Sequence, residues 1–170
     1  PVTEAFSANA ELRAGEFGEQ RVEVGAGGMV NDWFGLRFAA VDTQRDGQLH
    51  NQFSGRDQEA SEQDAQRLKL LFVPSDAMEI ELIALESQTE MAYWPKQLKA
   101  LDADTRDYLA DFDANIEDDP EDFTTSMNRD GELEKGSTTY SAKLSYSFGE
   151  VGALRDLNMV AVLGRSDFFV

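Results

Sequence analysis

The stretch Tyr140-Ser141-Ala142-Lys143-Leu144-Ser145-Tyr146-Ser147-Phe148 alternates without a break: each even position is apolar or aromatic, each odd one Ser or Lys. A period of two puts the two sets on opposite faces of a β-strand, whereas a helix would spread both around its surface. The same rhythm recurs. Leu68, Leu70 and Phe72 oppose Arg67 and Lys69; Met78, Ile80 and Leu82 oppose Glu79 and Glu81; Phe34, Leu36, Phe38 and Ala40 oppose Gly35 and Arg37. Weaker segments around 6–14, 20–26 and 157–166 complete the set. The pattern predicts seven strands, at about 6–14, 19–28, 32–46, 65–73, 77–91, 138–148 and 157–169. One helical stretch is expected within 95–114, with Leu98, Leu101, Tyr108 and Leu109 as a short apolar stripe.

The connections differ in kind. Those at Gly27–Asp32, Pro74–Asp76 and Gly149–Asp156 are short and turn-like, whereas Gly47–Asp64 and Tyr93–Ser137 are long and polar. Gly15–Gly18 is short, although by parity it belongs to the long-loop end. Short turns at one end and long loops at the other are the habit of an outer-membrane β-barrel. Trp33, Phe34, Phe72, Tyr146 and Phe148 sit beside the short turns, where an interfacial aromatic girdle belongs. The alternation alone also fits a soluble sandwich or barrel whose apolar face packs inward.

Composition removes several chemistries. The chain of 170 residues has no cysteine and one histidine, His50, which leaves no disulfide scaffold, thiol catalysis or multi-histidine zinc site. A net charge of −18 would repel a nucleic acid. No apolar run nears the ~20 residues of a spanning helix. The chain opens at Pro1 rather than Met, and a processed or truncated product is expected.

Several residues carry the look of a family. Gly18-Glu19-Gln20-Arg21-Val22-Glu23-Val24-Gly25-Ala26-Gly27-Gly28 and then Asn31-Asp32-Trp33-Phe34-Gly35-Leu36-Arg37-Phe38-Ala39-Ala40 resemble the second and third barrel strands of TonB-dependent outer-membrane receptors. Arg45-Asp46-Gly47, Asn51 and Gly55-Arg56-Asp57 are similar to the loop that follows. Arg67-Leu68-Lys69-Leu70-Leu71-Phe72-Val73-Pro74-Ser75-Asp76 is similar to a recurring strand and Pro turn; Tyr140–Phe148 with Leu157–Asp167 is similar to the next hairpin. The resemblance spans nearly the whole chain, 1–170, as the first part of the barrel just after the plug.

That resemblance implies an all-β fold: an antiparallel transmembrane β-barrel segment of about seven strands, too few to close, with 93–137 as a long acidic extracellular loop. It implies a place in the outer membrane of a Gram-negative bacterium. The activity implied is energy-coupled uptake of a scarce nutrient such as an iron–siderophore complex. Partners would be outer-membrane lipid, the small nutrient ligand and TonB, reached through a plug and TonB box expected outside this chain. No cofactor, metal or enzyme activity is implied. The alternatives are a soluble acidic all-β binding module and a small structural outer-membrane barrel.

Motif chemistry adds little. Asp111-Phe112-Asp113-Ala114-Asn115 begins like a calcium loop, but Ile116 occupies the place of the turn glycine and Asp122 that of the bidentate Glu. Asp42–Gly47 fails likewise, with Phe53 at the twelfth position. Glu117-Asp118-Asp119 and Glu121-Asp122 read as a solvated acidic loop. His50 beside Asn51 reads as a surface histidine, and Gly25-Ala26-Gly27-Gly28 lacks the Lys-Ser/Thr of a phosphate loop. Tyr93 and Trp94 belong either to the outer girdle or to a stacking surface for ligand. The outer-loop ligand candidates are therefore Tyr93, Trp94, Asp111 and Asp113.

The period-two split predicts Leu36, Phe38, Leu68, Leu70, Leu82, Leu144 and Tyr146 facing lipid, with Arg37, Lys69, Glu81 and Lys143 facing the lumen. An ion pair between Lys69 and Glu81 is expected across neighbouring strands.

Overall fold

The computed structural model describes residues 2–92, 97–119, 121–129, 131–152 and 154–170. Seven long strands, β1 (Ser7–Ala14), β2 (Gln20–Asn31), β3 (Phe34–Arg45), β6 (Ser61–Ser75), β7 (Met78–Ala92), β9 (Glu132–Val151) and β10 (Leu154–Phe169), form one antiparallel sheet in that order. Each neighbour in sequence is a neighbour in space. The sheet is open, with β1 and β10 at its edges. Three short strands, β4 (Leu49–Asn51), β5 (Arg56–Gln58) and β8 (Thr124–Thr125), make a second sheet, and one helix, α1 (Ala103–Ala110), lies between β7 and β8.

The seven strands are those the alternation predicts, and their registers keep the two faces apart. Leu36 pairs with Leu70, Leu70 with Leu82 and Leu82 with Ala142, while Phe38 pairs with Leu68 and Tyr146 with Met78. On the other face Arg37 pairs with Lys69, and Glu81 with Lys143. At the short-turn end Phe34 and Phe72 meet with ring centroids 5.1 Å apart, Trp33 stacks on Phe72 at 6.5 Å, and Tyr146 meets Phe148 at 4.7 Å. Aromatic packing thus gathers where the girdle is expected.

Strand ends at the other side differ from expectation. β6 begins at Ser61 and β9 at Glu132, so both long connections are shorter than read from sequence, and the second ends before 132. Nor is that connection structureless, since it carries α1 and β8. The expected helical stripe does not form. Leu98 and Leu101 precede α1, the helix buries no residue, and exposed Tyr108 packs only edge-on against Phe112 at 5.2 Å.

What the fold lacks is a second layer. Among the described residues Leu49, in the small sheet, is the one buried hydrophobic side chain. Phe38, Leu68 and Leu82 remain 40%, 41% and 37% exposed, and Leu163 76%. The accessible surface is 12029 Å², against about 8,300 Å² expected for a folded monomer of this size. The hydrophobic effect therefore leaves the large sheet with an apolar face that has no protein cover.

The apolar stretch also crosses the cross-strand rows obliquely. One row runs Ala8, Ala26, Phe38, Leu68, Ala84, Tyr140, Arg165. On β1 this row marks the short-turn limit of the apolar residues Ala8, Ala10, Leu12 and Ala14. On β7 and β9 it marks the opposite limit, at Ala84 and Tyr140, and on β10 it has passed beyond it to Arg165. From β1 (Ala8–Ala14) to β10 (Leu157–Leu163) the centre of the stretch slips by about eight residues, or ~27 Å at ~3.4 Å each. Six strand spacings of ~4.8 Å span ~29 Å, so the band slopes at ~43° to the rows.

Candidate functional site

Two loops meet at the long-loop end of the sheet, and Asn51 joins them. Its side chain is fully buried. Nδ2 donates to the Met127 carbonyl at 2.9 Å, and Oδ1 accepts from the amides of Met127 at 3.0 Å and Phe53 at 3.1 Å. A side-chain amide that both donates to and accepts from one backbone residue acts as a short piece of β-ladder. The main chain repeats the pattern, with His50 N donating to Phe123 O and Gln52 N to Thr125 O, so β8 lies parallel to β4. Gln97 Nε2 donates to Thr124 O at 3.0 Å and ties the far end of the same loop. The 46–60 and 97–129 connections therefore form one folded cap.

Carboxylates hold the cap in shape. Asp102 caps α1, accepting from Thr105 N at 2.9 Å and Thr105 Oγ1 at 2.8 Å. Asp118 accepts from the Leu101 amide at 2.8 Å and from Arg106 at 2.6 Å. Asp122 accepts from Thr124 Oγ1 and Thr124 N. Donors aimed at the ionised form lower a carboxyl pKa. Asp102 is held below its ordinary value chiefly by the Thr105 amide, Asp118 by the Leu101 amide and then Arg106, and Asp122 by the Thr124 hydroxyl and amide.

The described residues include two of the four ligand candidates named from sequence, Asp111 and Asp113. Tyr93 and Trp94 lie outside the described residues. Asp111 is the C-cap of α1. Asp113 turns into the cap, accepting from Asn115 N at 2.9 Å and from the Ser126 hydroxyl, so its oxygens fasten the loop to β8. His50 pairs with Asp57 at 2.7 Å on the cap surface. A recess of about 200 Å³ opens within the 97–129 part of the cap, lined by Gln97, Leu98, Ile116, Glu117 and the β8 strand. Among the described residues no group of three or more His, Asp or Glu side chains could hold a metal ion. Asn51 carried no signal of its own in sequence, because an Asn beside a Gly-rich turn usually serves that turn alone.

Charge divides by face. Among residues paired in the sheet registers, the face opposite the apolar band carries Arg13, Arg21, Arg37, Arg45, Arg67, Lys69, Lys135 and Lys143 against Glu11, Glu23, Glu79 and Glu81. The band's own face carries Asp42, Glu62, Asp64, Glu86, Glu90, Glu132, Glu134 and Asp167 against Arg165, nearly all beyond the band on the cap side. Glu90 stands directly opposite both Glu62 and Glu134. On the cationic face Arg37 donates to Ser7 Oγ at 3.3 Å and Asn9 Oδ1 at 3.1 Å, and Arg21 donates to Thr43 and Glu23.

Comparison with known proteins returns no match among family models, curated proteins or solved structures.

Proposed function

We propose that the chain is a stretch of the wall of an outer-membrane β-barrel of Gram-negative bacteria, working in nutrient uptake as in the TonB-dependent receptors it resembles. The observation that carries this reading is the oblique apolar band. Strands of a membrane barrel tilt by ~35–45°, so a level lipid layer must cut across their hydrogen-bonded rows at that angle. A slope of ~43° on an uncovered single-layer sheet fits that demand. The band runs ~20 Å along β7 from Met78 to Ala84 and along β9 from Tyr140 to Tyr146. An aromatic cluster flanks it at the short-turn end and carboxylates at the other.

In this reading the apolar face meets lipid, the cationic face lines the lumen, and the cap lies outside the cell above the barrel mouth. The small ligand, an iron–siderophore complex or another scarce nutrient, would meet the cap first. Coupling to TonB would run through a plug supplied outside this stretch, and the role of the chain is transport rather than catalysis.

The absence of cysteine makes single-cysteine spin labels clean probes. Labels at Leu70 and Leu82 in lipid vesicles should be relaxed by oxygen, which concentrates in lipid. Labels at Lys69 and Lys143 should be relaxed by a water-soluble nickel chelate. A water-soluble monomer that does not enter vesicles would replace this reading with the soluble acidic β-module.

A further inference from the structure

We propose that the cationic face holds a subsite for a small polyvalent oxyanion, of carboxylate or phosphate chemistry, although the chain as a whole carries −18. The proposal rests on the barrel-wall reading for its place in a lumen, and on the sheet itself for its chemistry. Arg67, then Arg37 with Lys69, then Lys143 occupy three successive rows of that face, all at the height of the apolar band behind them. Arg37 and Lys69 are direct cross-strand partners. Like charges so placed destabilise a sheet, and among the described residues Arg37 donates to the neutral oxygens of Ser7 and Asn9. Glu81 pairs with Lys69 and stands in register opposite Lys143, with which it forms no ion pair. Among the described residues Arg37, Arg67 and Lys143 have no ion-pair partner.

The surface beside them is shaped to receive something. A recess of about 210 Å³ beside them is lined by Arg67, by the ion-paired Arg21 and Glu23, and by the apolar Ala39, Ala65 and Leu85. The small side chains Ala39 on β3 and Ala65 on β6 leave room there beside the exposed Arg67. Guanidinium forks match carboxylate and phosphate oxygens in pairs, and rings of Arg and Lys are how pores select anions. Among the residues paired in the sheet, this face holds four carboxylates, Glu11, Glu23, Glu79 and Glu81, against eight cations, so positive charge remains in excess on it. Charge complementarity therefore names the occupant as an anion.

Calorimetric titration of the full chain in neutral phosphatidylcholine vesicles, with citrate and with inorganic pyrophosphate as probes, tests the inference. At low salt one or both should bind, affinity should fall steeply with added NaCl, and the R37Q/R67Q/K143Q variant should lose at least ~10-fold. The single variant R67Q, at an exposed position, should lose a smaller part while its circular dichroism stays that of wild type. Preference for citrate or for pyrophosphate distinguishes a carboxylate from a phosphate ligand. Equal binding by wild type and triple variant, no binding of either anion, or preferential binding of spermidine would overturn the inference. Vesicle flotation is scored separately: protein that floats but binds no anion defeats only the subsite. Protein that stays in the aqueous phase defeats the wall reading, and the same titration there still decides the subsite.

Discussion

Lys69 of β6 and Glu81 of β7 form an ion pair one register step off direct opposition, since Lys69 pairs with Ile83 and Glu81 with Leu71. Both side chains are about four-fifths buried, at 19% and 20% exposure. Lys143, directly opposite Glu81, makes the arrangement lopsided. Removing Glu81 leaves Lys69 without its ion-pair partner and Lys143 without a facing carboxylate, whereas removing Lys69 leaves Glu81 facing Lys143. E81Q should therefore cost about 1–2 kcal/mol and K69Q less than about 1 kcal/mol. Urea unfolding in detergent micelles reads the difference, and equal losses would contradict this asymmetry.

Asn51 is the joint of the cap. N51L removes its hydrogen bonds to Met127 and Phe53 and strands the half-buried Met127 amide and carbonyl, which should cost about 2–4 kcal/mol of loop docking. The long sheet does not depend on this contact. Limited proteolysis should then cut within 97–129 much faster than in wild type, while the sheet's circular dichroism is unchanged.

Acid should loosen the same cap. Asp102, Asp118 and Asp122 have carboxyl pKa values lowered by their hydrogen bonds in the folded loop. A lowered folded value means that the stabilisation is complete above the ordinary carboxylate range and fades as pH falls through the lowered values. Loop protection should be flat from pH 7 to 5 and decline below pH about 4. Hydrogen exchange at the Leu101 amide follows this, and D118N should show weak protection already at neutral pH.

Glu62, Glu90 and Glu134 stand side by side across three strands on the face of the apolar band. Neutralising the middle one with E90Q should stabilise the cap end of the sheet by roughly 0.2–1 kcal/mol at low salt. The gain should shrink in 0.5 M NaCl, as screening would already have relieved the repulsion. Thermal unfolding at the two salt concentrations measures it.

The topology is open to a direct check. A cysteine introduced at Asp119, labelled with a membrane-impermeant maleimide on intact cells making the full-length protein, should react. Reaction only after the outer membrane is permeabilised would turn the assignment upside down.

How much of this was legible in sequence follows from contrast between faces. Where apolar and polar residues alternate, as in Leu68–Phe72 and Tyr140–Phe148, strands and faces could be read outright. Beyond the band both faces turn polar, as at Ser61-Glu62-Gln63-Asp64, or carry a lone apolar residue, as Leu133 in Glu132–Lys135, so the contrast fades while the hydrogen-bond ladder continues. That is why β6 and β9 begin earlier than the pattern indicated. β4, β5 and β8 are two or three residues long, too short for any period to register. Of the site candidates, Asp111 and Asp113 turned out to serve α1 and the cap, because short carboxylates near a helix end find backbone and hydroxyl donors first.

The oblique band separates two coordinates that coincide in a level sheet. Ala8 and Arg165 lie on one hydrogen-bonded row, yet in a membrane wall they would sit at opposite leaflets. A pull on the periplasmic end of β1 would then travel along backbone bonds to the extracellular end of β10 as along a diagonal brace. Such a wall resists vertical load by shear between strands rather than by stretching any one of them, a useful stiffness for a scaffold inside which something else must be dragged.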